Sequence, residues 1–284
     1  MKPFPVVLAA TLHDPTAALA RDVVWALPRL RGLYGGGIAV TTSPPTSPRM
    51  VELLRSGGVF AGTPRTNMRG SLYRMAIREA LATGAAFVHY LDFDRALHWM
   101  HVAPRELAAV LRLARRHPAI IVGRTEKAHA SHHRPLWATE GVANRLMADA
   151  LGVRSRLDLL VPSFVLRADL ARSLVAASRA RDAHVYGEWP ALVASLTAVL
   201  AYVECRGLDW ETPDRFRAAV RRVGLVTWRR RQETAAEWAL RIAMAETIVA
   251  SFARRHARQP ARPKVVRLSS RGVPVRSRRT ANHG

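Results

Sequence analysis

Two aspartates one residue apart, Asp92 and Asp94, close the apolar run FVHYL and are followed at once by Trp99 and the imidazoles His98 and His101. Alternate residues of an extended chain point the same way, so both carboxylates can face one ligand. Crowded carboxylates are costly unless one is protonated or a cation lies between them. A hard divalent ion with oxygen ligands, Mg²⁺ or Mn²⁺, removes the repulsion and can bridge a diphosphate. The same Asp-x-Asp spacing also occurs in solvated turns, so the surrounding elements must decide its meaning.

Those elements alternate. PVVLAATL reads as a buried first strand, with Asp14 as N-cap and Pro15 in the first position of a helix over residues 16–30. IAVTT is a second strand, SPPTSP a loop into a short helix ended by Gly57 and Gly58, and VFAG a third strand. A loop holding Arg65, Asn67 and Arg69 leads to a helix over residues 71–82. AAFVHYL is then the most apolar strand of the first half, with the two aspartates at its C-terminal end. A helix starting near Pro104 and the strand AIIVG follow. Strands alternating with helices predict an α/β fold, a mostly parallel central sheet flanked by helices. In such sheets ligands bind outside the carboxyl ends of the strands, where Asp92 and Asp94 lie.

The order of these segments resembles the GT-A glycosyltransferases, especially the family 2 type that includes the dolichyl-phosphate mannose synthases. FVHYLDFD is similar to the family's strand ending in metal-binding aspartates. PRELAAVLRLARRHPAIIVGRT is similar to its next helix and strand, and ANRLMADALGVRSRLDLLVPSFVLRADLARSL to its helix and Asp-containing turn. The resemblance runs over residues 6–167 and implies a Rossmann-like nucleotide-diphospho-sugar transferase, hexosyltransferase-like, with Mn²⁺ or Mg²⁺ as cofactor. Carried over residue by residue, it implies that Asp92 approaches the sugar or ribose and takes part in catalysis, with Asp92 and Asp94 on the metal. Asp14 resembles the acid that holds the base or ribose, Arg124 the arginine closing a Gly-Ser-Arg segment, and Asp158 the acid of the acceptor-side turn. The sequence departs from the family at Thr41, Thr42 and Ser43, where an acidic residue is usual, and at Ser163, Phe164 and Val165.

Other residues are read from their own chemistry. Arg65 and Arg69 offer planar guanidinium groups to phosphate. Inverting transfer needs a carboxylate to take the acceptor proton; Glu188 in HVYGEWPAL is the first candidate and Asp182 the second. Glu188 also suits the start of a helix at Pro190. His98, His101, His129, His132 and His133 match no zinc spacing and read as loop histidines ahead of a third metal ligand, with a mobile lid over residues 127–137 as the alternative. From residue 210 two helices are expected, the second with Trp238, Ile242, Ala245 and Val249 on one face.

Composition bounds the rest. The 284 residues, 49% hydrophobic, suit one sizeable domain over 1–253, its C-terminal helical part at about 210–253. One cysteine, Cys205, excludes an internal disulfide and fits a reducing compartment. No run reaches the length of a membrane span, so the chain is expected to be cytoplasmic, with peripheral attachment at the membrane surface open to it. The charge is +23, with 44 Lys and Arg against 21 Asp and Glu. Residues 254–284 hold ten Lys and Arg and no acid, and their Pro, Ser and Gly content reads as a disordered basic tail suited to anionic lipid or nucleic acid. The acceptor stays open between a polyprenyl phosphate and a small molecule. Two other readings stand beside transfer: a nucleotidyltransferase on a related fold, weakened by the lack of a glycine-rich loop after the first strand, and a non-enzymatic basic nucleic-acid-binding protein, for which no recognition module is evident.

Overall fold

Strand β1 (Val6–Leu12) shows why the sheet sits where it does. Val6, Leu8, Ala10 and Leu12 join one apolar cluster while Val7 and Ala9 join the other, so both faces of the strand are covered. A strand buried on both sides needs an unbroken apolar run, which is how β1 reads. The structure, a computed structural model, describes residues 4–258 and 262–269.

After β1 come α1 (Ala20–Leu33), β2 (Ile38–Thr42), α2 (Pro48–Ser56), β3 (Phe60–Gly62), α3 (Arg69–Leu81) and β4 (Phe87–Tyr90). Next are α4 (Phe93–Val102), α5 (Pro104–Leu113), β5 (Ala119–Arg124), α6 (Glu126–Ala130), α7 (Arg134–Ala150) and β6 (Phe164–Arg167). The chain continues with α8 (Ala168–Ala177), α9 (Val185–Ser195), β7 (Val199–Cys205), a 3-10 turn (Thr212–Phe216), α10 (Arg217–Val223), α11 (Leu225–Arg231), α12 (Ala235–His256) and β8 (Lys264–Leu268). The eight strands lie in the order β3-β2-β1-β4-β6-β5-β7-β8. All pair in parallel except β6, which runs antiparallel to both β4 and β5. The strand order reverses between β1 and β4, where Ala9 stands beside Tyr90.

Helices α1, α2, α4 and α5 cover one face; α3, α7, α8, α9 and α12 cover the other. The α9–α12 crossing is tight at Gly187, where an added Cβ would lie 2.0 Å from the Ile248 carbonyl oxygen. Backbone cannot yield as a side-chain end can, so Gly187→Ala is expected to cost about 1–3 kcal/mol, read as a lower urea midpoint. Among the described residues, no helix is long and apolar enough to cross a membrane.

Four expectations are corrected. The segment after Asp92 is a helix, α4, with Phe93, Ala96, Leu97 and Met100 buried at helical spacing. Residues 126–150 form α6 and α7, and His129, His132 and His133 are buried, so this stretch is part of the packed body and not a loose lid. After residue 210 the chain makes a 3-10 turn and three helices, and α12 buries Ile248, Ser251 and Phe252 while Ile242 is exposed. The boundary at 253/254 does not hold either, since α12 runs to His256 and KVVRL adds β8 to the edge of β7. Leu268 joins the core there and Arg267 pairs with Glu204 at 3.1 Å, which gives this short basic stretch the apolar and ionic partners its composition lacks. The remainder of the expected tail lies outside the described residues.

Candidate active site

A cleft of about 600 Å³ opens at the C-terminal edge of β1, β2 and β4. Thr11, Leu12 and His13 reach it from the end of β1, Ser43 from β2, and Asp92 and Asp94 from the β4–α4 junction. This is the crevice beside the strand-order reversal. Asn67, Met68 and Arg69 form one wall ahead of α3, Asp182 and Tyr186 another at α9, and Arg215 comes from the 3-10 turn.

The two carboxylates are held differently. Asp92 stands as N-cap residue of α4, and its Oδ1 accepts from Thr11 Oγ1 at 2.8 Å and from Tyr90 Oη at 3.3 Å. Burial, and then the Asp94 charge, push its carboxyl above the ordinary range, against the pull of Arg95. Asp94 Oδ1 accepts from Arg95 N at 2.9 Å, while Oδ2 accepts from Arg215 Nη2 at 2.6 Å. The other Arg215 Nη donates to the His13 carbonyl, so one guanidinium bridges the end of β1 to Asp94. Behind the cleft Tyr73 donates to Tyr186 at 3.1 Å, and Arg69 lies over the Tyr186 ring at 5.3 Å. Burial raises the phenols of Tyr73, Tyr90 and Tyr186, which keeps them protonated donors.

The segment carrying Arg215 is tied to α4. His98 lies between Asp214, at 2.6 Å, and Asp209, at 2.9 Å; Arg95 pairs with Glu211 at 3.3 Å; Glu106 accepts from the Arg206 and Gly207 amides. Burial opposes charge on His98, but Asp209 and Asp214 outweigh it and push the imidazole up to about 9. A raised folded-state value stabilises fully below the ordinary 6.5, and that stability is lost as pH rises through about 9. With the exposure of Asp209 discounted, the loss is on the order of 2 kcal/mol. Urea unfolding across that window is expected to show it, and His98→Gln to flatten it.

Of the residues singled out in the sequence, the fold brings Asp92, Asp94, Arg69 and Asp182 together in the cleft. Six others are placed elsewhere. Asp14 is 1% exposed, and its carboxylate accepts from the Ala18 and Leu19 amides at 2.9 Å, capping the turn ahead of α1. Arg65 is exposed and outside the cleft lining. Arg124 and Asp158 form a buried ion pair at 2.6 Å, joined by Glu140 and by Asn144. Glu188 lies in the first turn of α9, buried, accepting from Ser178 Oγ at 2.6 Å, Arg179 N at 2.7 Å and Ala180 N at 3.1 Å. It secures the 178–180 loop and does not line the cleft. Cys205 is buried, which pushes its thiol up and leaves it unsuited to nucleophilic work. His13, Ser43, Tyr186 and Arg215 are cleft residues that sequence reasoning missed. Arg215 is 121 positions from Asp94, and nothing in ETPDRF marks it as more than a turn residue.

No family model matches the sequence, and no curated protein is detectably similar to it. Among solved structures, the chain is similar to glucosyl-3-phosphoglycerate synthase from Mycobacterium tuberculosis, crystallised with Mn²⁺, uridine diphosphate and phosphoglyceric acid. The TM-score is 0.53 at 15% identity, over 91% of this chain and 80% of that one. A mycobacterial protein aligns at 0.49 and 14% identity over 91% and 76%, and 4-diphosphocytidyl-2C-methyl-D-erythritol synthase at 0.42 and 14% over 78% and 98%. At 15% identity the likeness to the synthase establishes the fold alone: a mostly parallel α/β sheet of the GT-A, Rossmann-like kind.

Proposed function

We propose that the chain transfers a sugar from a nucleotide-diphosphate sugar to an acceptor hydroxyl in the cleft at the ends of β1 and β4. The observation that carries this reading is the Asp92 and Asp94 pair at the cleft edge beside the strand-order reversal. The mycobacterial synthase of the same fold, crystallised with Mn²⁺ and uridine diphosphate, supports it.

The donor set suits a divalent cation shared with substrate. Burial, and after it the Asp94 charge, lifts the Asp92 carboxyl, and the repulsive part is one that Mg²⁺ or Mn²⁺ relieves. Among the described residues no cluster of three or more His, Cys, Asp or Glu side chains is arranged to hold a metal, so two carboxylates would share the ion with diphosphate oxygens and water. When bound, the ion neutralises charge developing on the leaving diphosphate. Asp94 Oδ2 accepts from Arg215; were that carboxylate to hold a cation instead, the Arg215 guanidinium, like that of Arg69, would be available to phosphate oxygen. Thr11 and Tyr90 fix the Asp92 rotamer. Asp182 is the cleft carboxylate available to take the acceptor proton; its hydrogen bonds from His184 hold it below the ordinary range and hence ionised at neutral pH.

Product analysis tests the reading. Incubation with UDP- or GDP-sugars and Mn²⁺ is expected to release nucleoside diphosphate. Pyrophosphate release from a nucleoside triphosphate and a sugar phosphate would instead mark nucleotidyl transfer.

A further inference from the structure

Beside the cleft lies a second depression of about 450 Å³, and Met68 and Asp182 belong to the lining of both. Its other walls are strongly basic. Arg181 enters from the loop ahead of α9, and Arg254, Arg255 and Arg258 from the C-terminal end of α12. Among the described residues, none of these four guanidinium groups has a hydrogen bond or ion pair to another side chain or to the backbone. The two carboxylates in the lining are already engaged: Glu188 by Ser178 and the 179 and 180 amides, Asp182 by His184.

A basic last turn favours the helix dipole, which accounts for Arg254 and Arg255 on α12. It does not account for Arg181, which comes from another element to the same concavity, nor for a lining without a free counter-charge. Like charges lining one depression repel one another, and an anion among them relieves that repulsion. The anion they match has several negative oxygens on one centre, since the planar fork donates to phosphate through paired N–H groups.

We infer that this basin holds a phosphate group of the acceptor, with the acceptor hydroxyl reaching past Met68 and Asp182 into the donor cleft. The inference rests on the transfer reading above. In the step it serves, the hydroxyl oxygen forms a bond to the anomeric carbon as that carbon's bond to the diphosphate oxygen breaks. The hydroxyl proton passes to Asp182, and nucleoside diphosphate leaves with the bonding pair. Glu188 acts here as a positioning residue, because it fixes the 178–180 loop that precedes Arg181.

A soluble molecule and a lipid can each present such a phosphate, and the experiment separates the two. The full chain is titrated by calorimetry with inorganic phosphate, and by flotation with phosphatidylcholine vesicles with or without phosphatidic acid. The variants are Arg181→Gln, the combined Arg254→Gln, Arg255→Gln and Arg258→Gln protein, and a control with Arg221→Gln, Arg222→Gln and Arg230→Gln on α10 and α11. Phosphate affinity is expected to fall at least about tenfold in the basin variants and to be unchanged in the control. Binding to free phosphate supports a soluble acceptor. Binding confined to phosphatidic acid vesicles and lost in the basin variants supports a lipid-borne phosphate. Equal losses in basin and control variants, or no loss in either, overturn the assignment. Uridine and guanosine diphosphate are titrated into the same proteins: failure of the wild type to bind them sinks the transfer reading, whereas the basin stands or falls on the phosphate comparison.

Discussion

Asp158→Ala is expected to destabilise the fold by about 3 kcal/mol, because it strips a buried guanidinium of the larger of its two counter-charges and leaves only Glu140. Arg124 is 1% exposed and Asp158 is fully buried. Arg124 donates to Asp158 from its backbone N at 2.9 Å, from Nε at 2.6 Å and from Nη2 at 3.1 Å. Asn144 Nδ2 adds a fourth donor at 2.9 Å, and the Asp158 amide donates to Tyr202 Oη at 2.7 Å. Burial by itself would raise the Asp158 carboxyl, but the Arg124 charge and hydrogen bonds override it and hold the group far below the ordinary carboxylate range. A depressed value stabilises above the unfolded-state carboxylate pKa and is lost as pH falls below it, so the pair also contributes to acid unfolding. Urea unfolding of Asp158→Ala and of the milder Asp158→Asn measures the effect. A loss below about 1 kcal/mol in Asp158→Ala would put it in the range of an exposed pair and contradict the structural role. A donor-binding role for this pair would show instead as lost nucleotide affinity at unchanged stability.

Asp94→Asn is expected to lower sugar transfer by about a hundredfold or more while leaving the fold intact. The side chain is 20% exposed and its partners, Arg215 and the Arg95 amide, can both bond an amide oxygen, so little stability is at stake. On the proposed reading the loss arises from the carboxylate charge, which would hold the cation that neutralises the leaving diphosphate. Asp92→Asn should differ in one respect. It removes a carboxyl whose charged form burial and Asp94 both disfavour, so transfer falls while stability holds or rises.

The alternating strands were legible because β1 and β5 are buried on both faces and must be apolar throughout, as VVLAATL and AIIVG are. Asp92 and Asp94 were legible for a topological reason, since a polar pair ending such a strand falls at the edge where the sheet leaves a crevice. Helix α4 was also written in the sequence, in the spacing of Phe93, Ala96, Leu97 and Met100, but the aspartates drew the eye to a strand end. Arg124, Asp158 and Glu188 show the opposite case. Their types and order fit a binding role, and only tertiary contact reveals that each already has internal partners. Arg215 was out of reach for the same reason: a turn arginine acquires meaning only when the chain returns it to Asp94. Strand β8 lay hidden in a basic stretch whose Val265, Val266 and Leu268 become a strand by pairing with β7.

The central claim is that Asp92 and Asp94 hold a nucleotide-diphosphate sugar through a divalent cation. Calorimetric titration with UDP- and GDP-sugars, with and without Mn²⁺, in wild type and Asp94→Asn tests it most directly. The account predicts saturable binding that requires Mn²⁺ and is lost in the variant, with the preferred base identified by which donor binds. Donor binding of equal strength in wild type and Asp94→Asn, or the absence of binding to any donor with Mn²⁺ present, would contradict it.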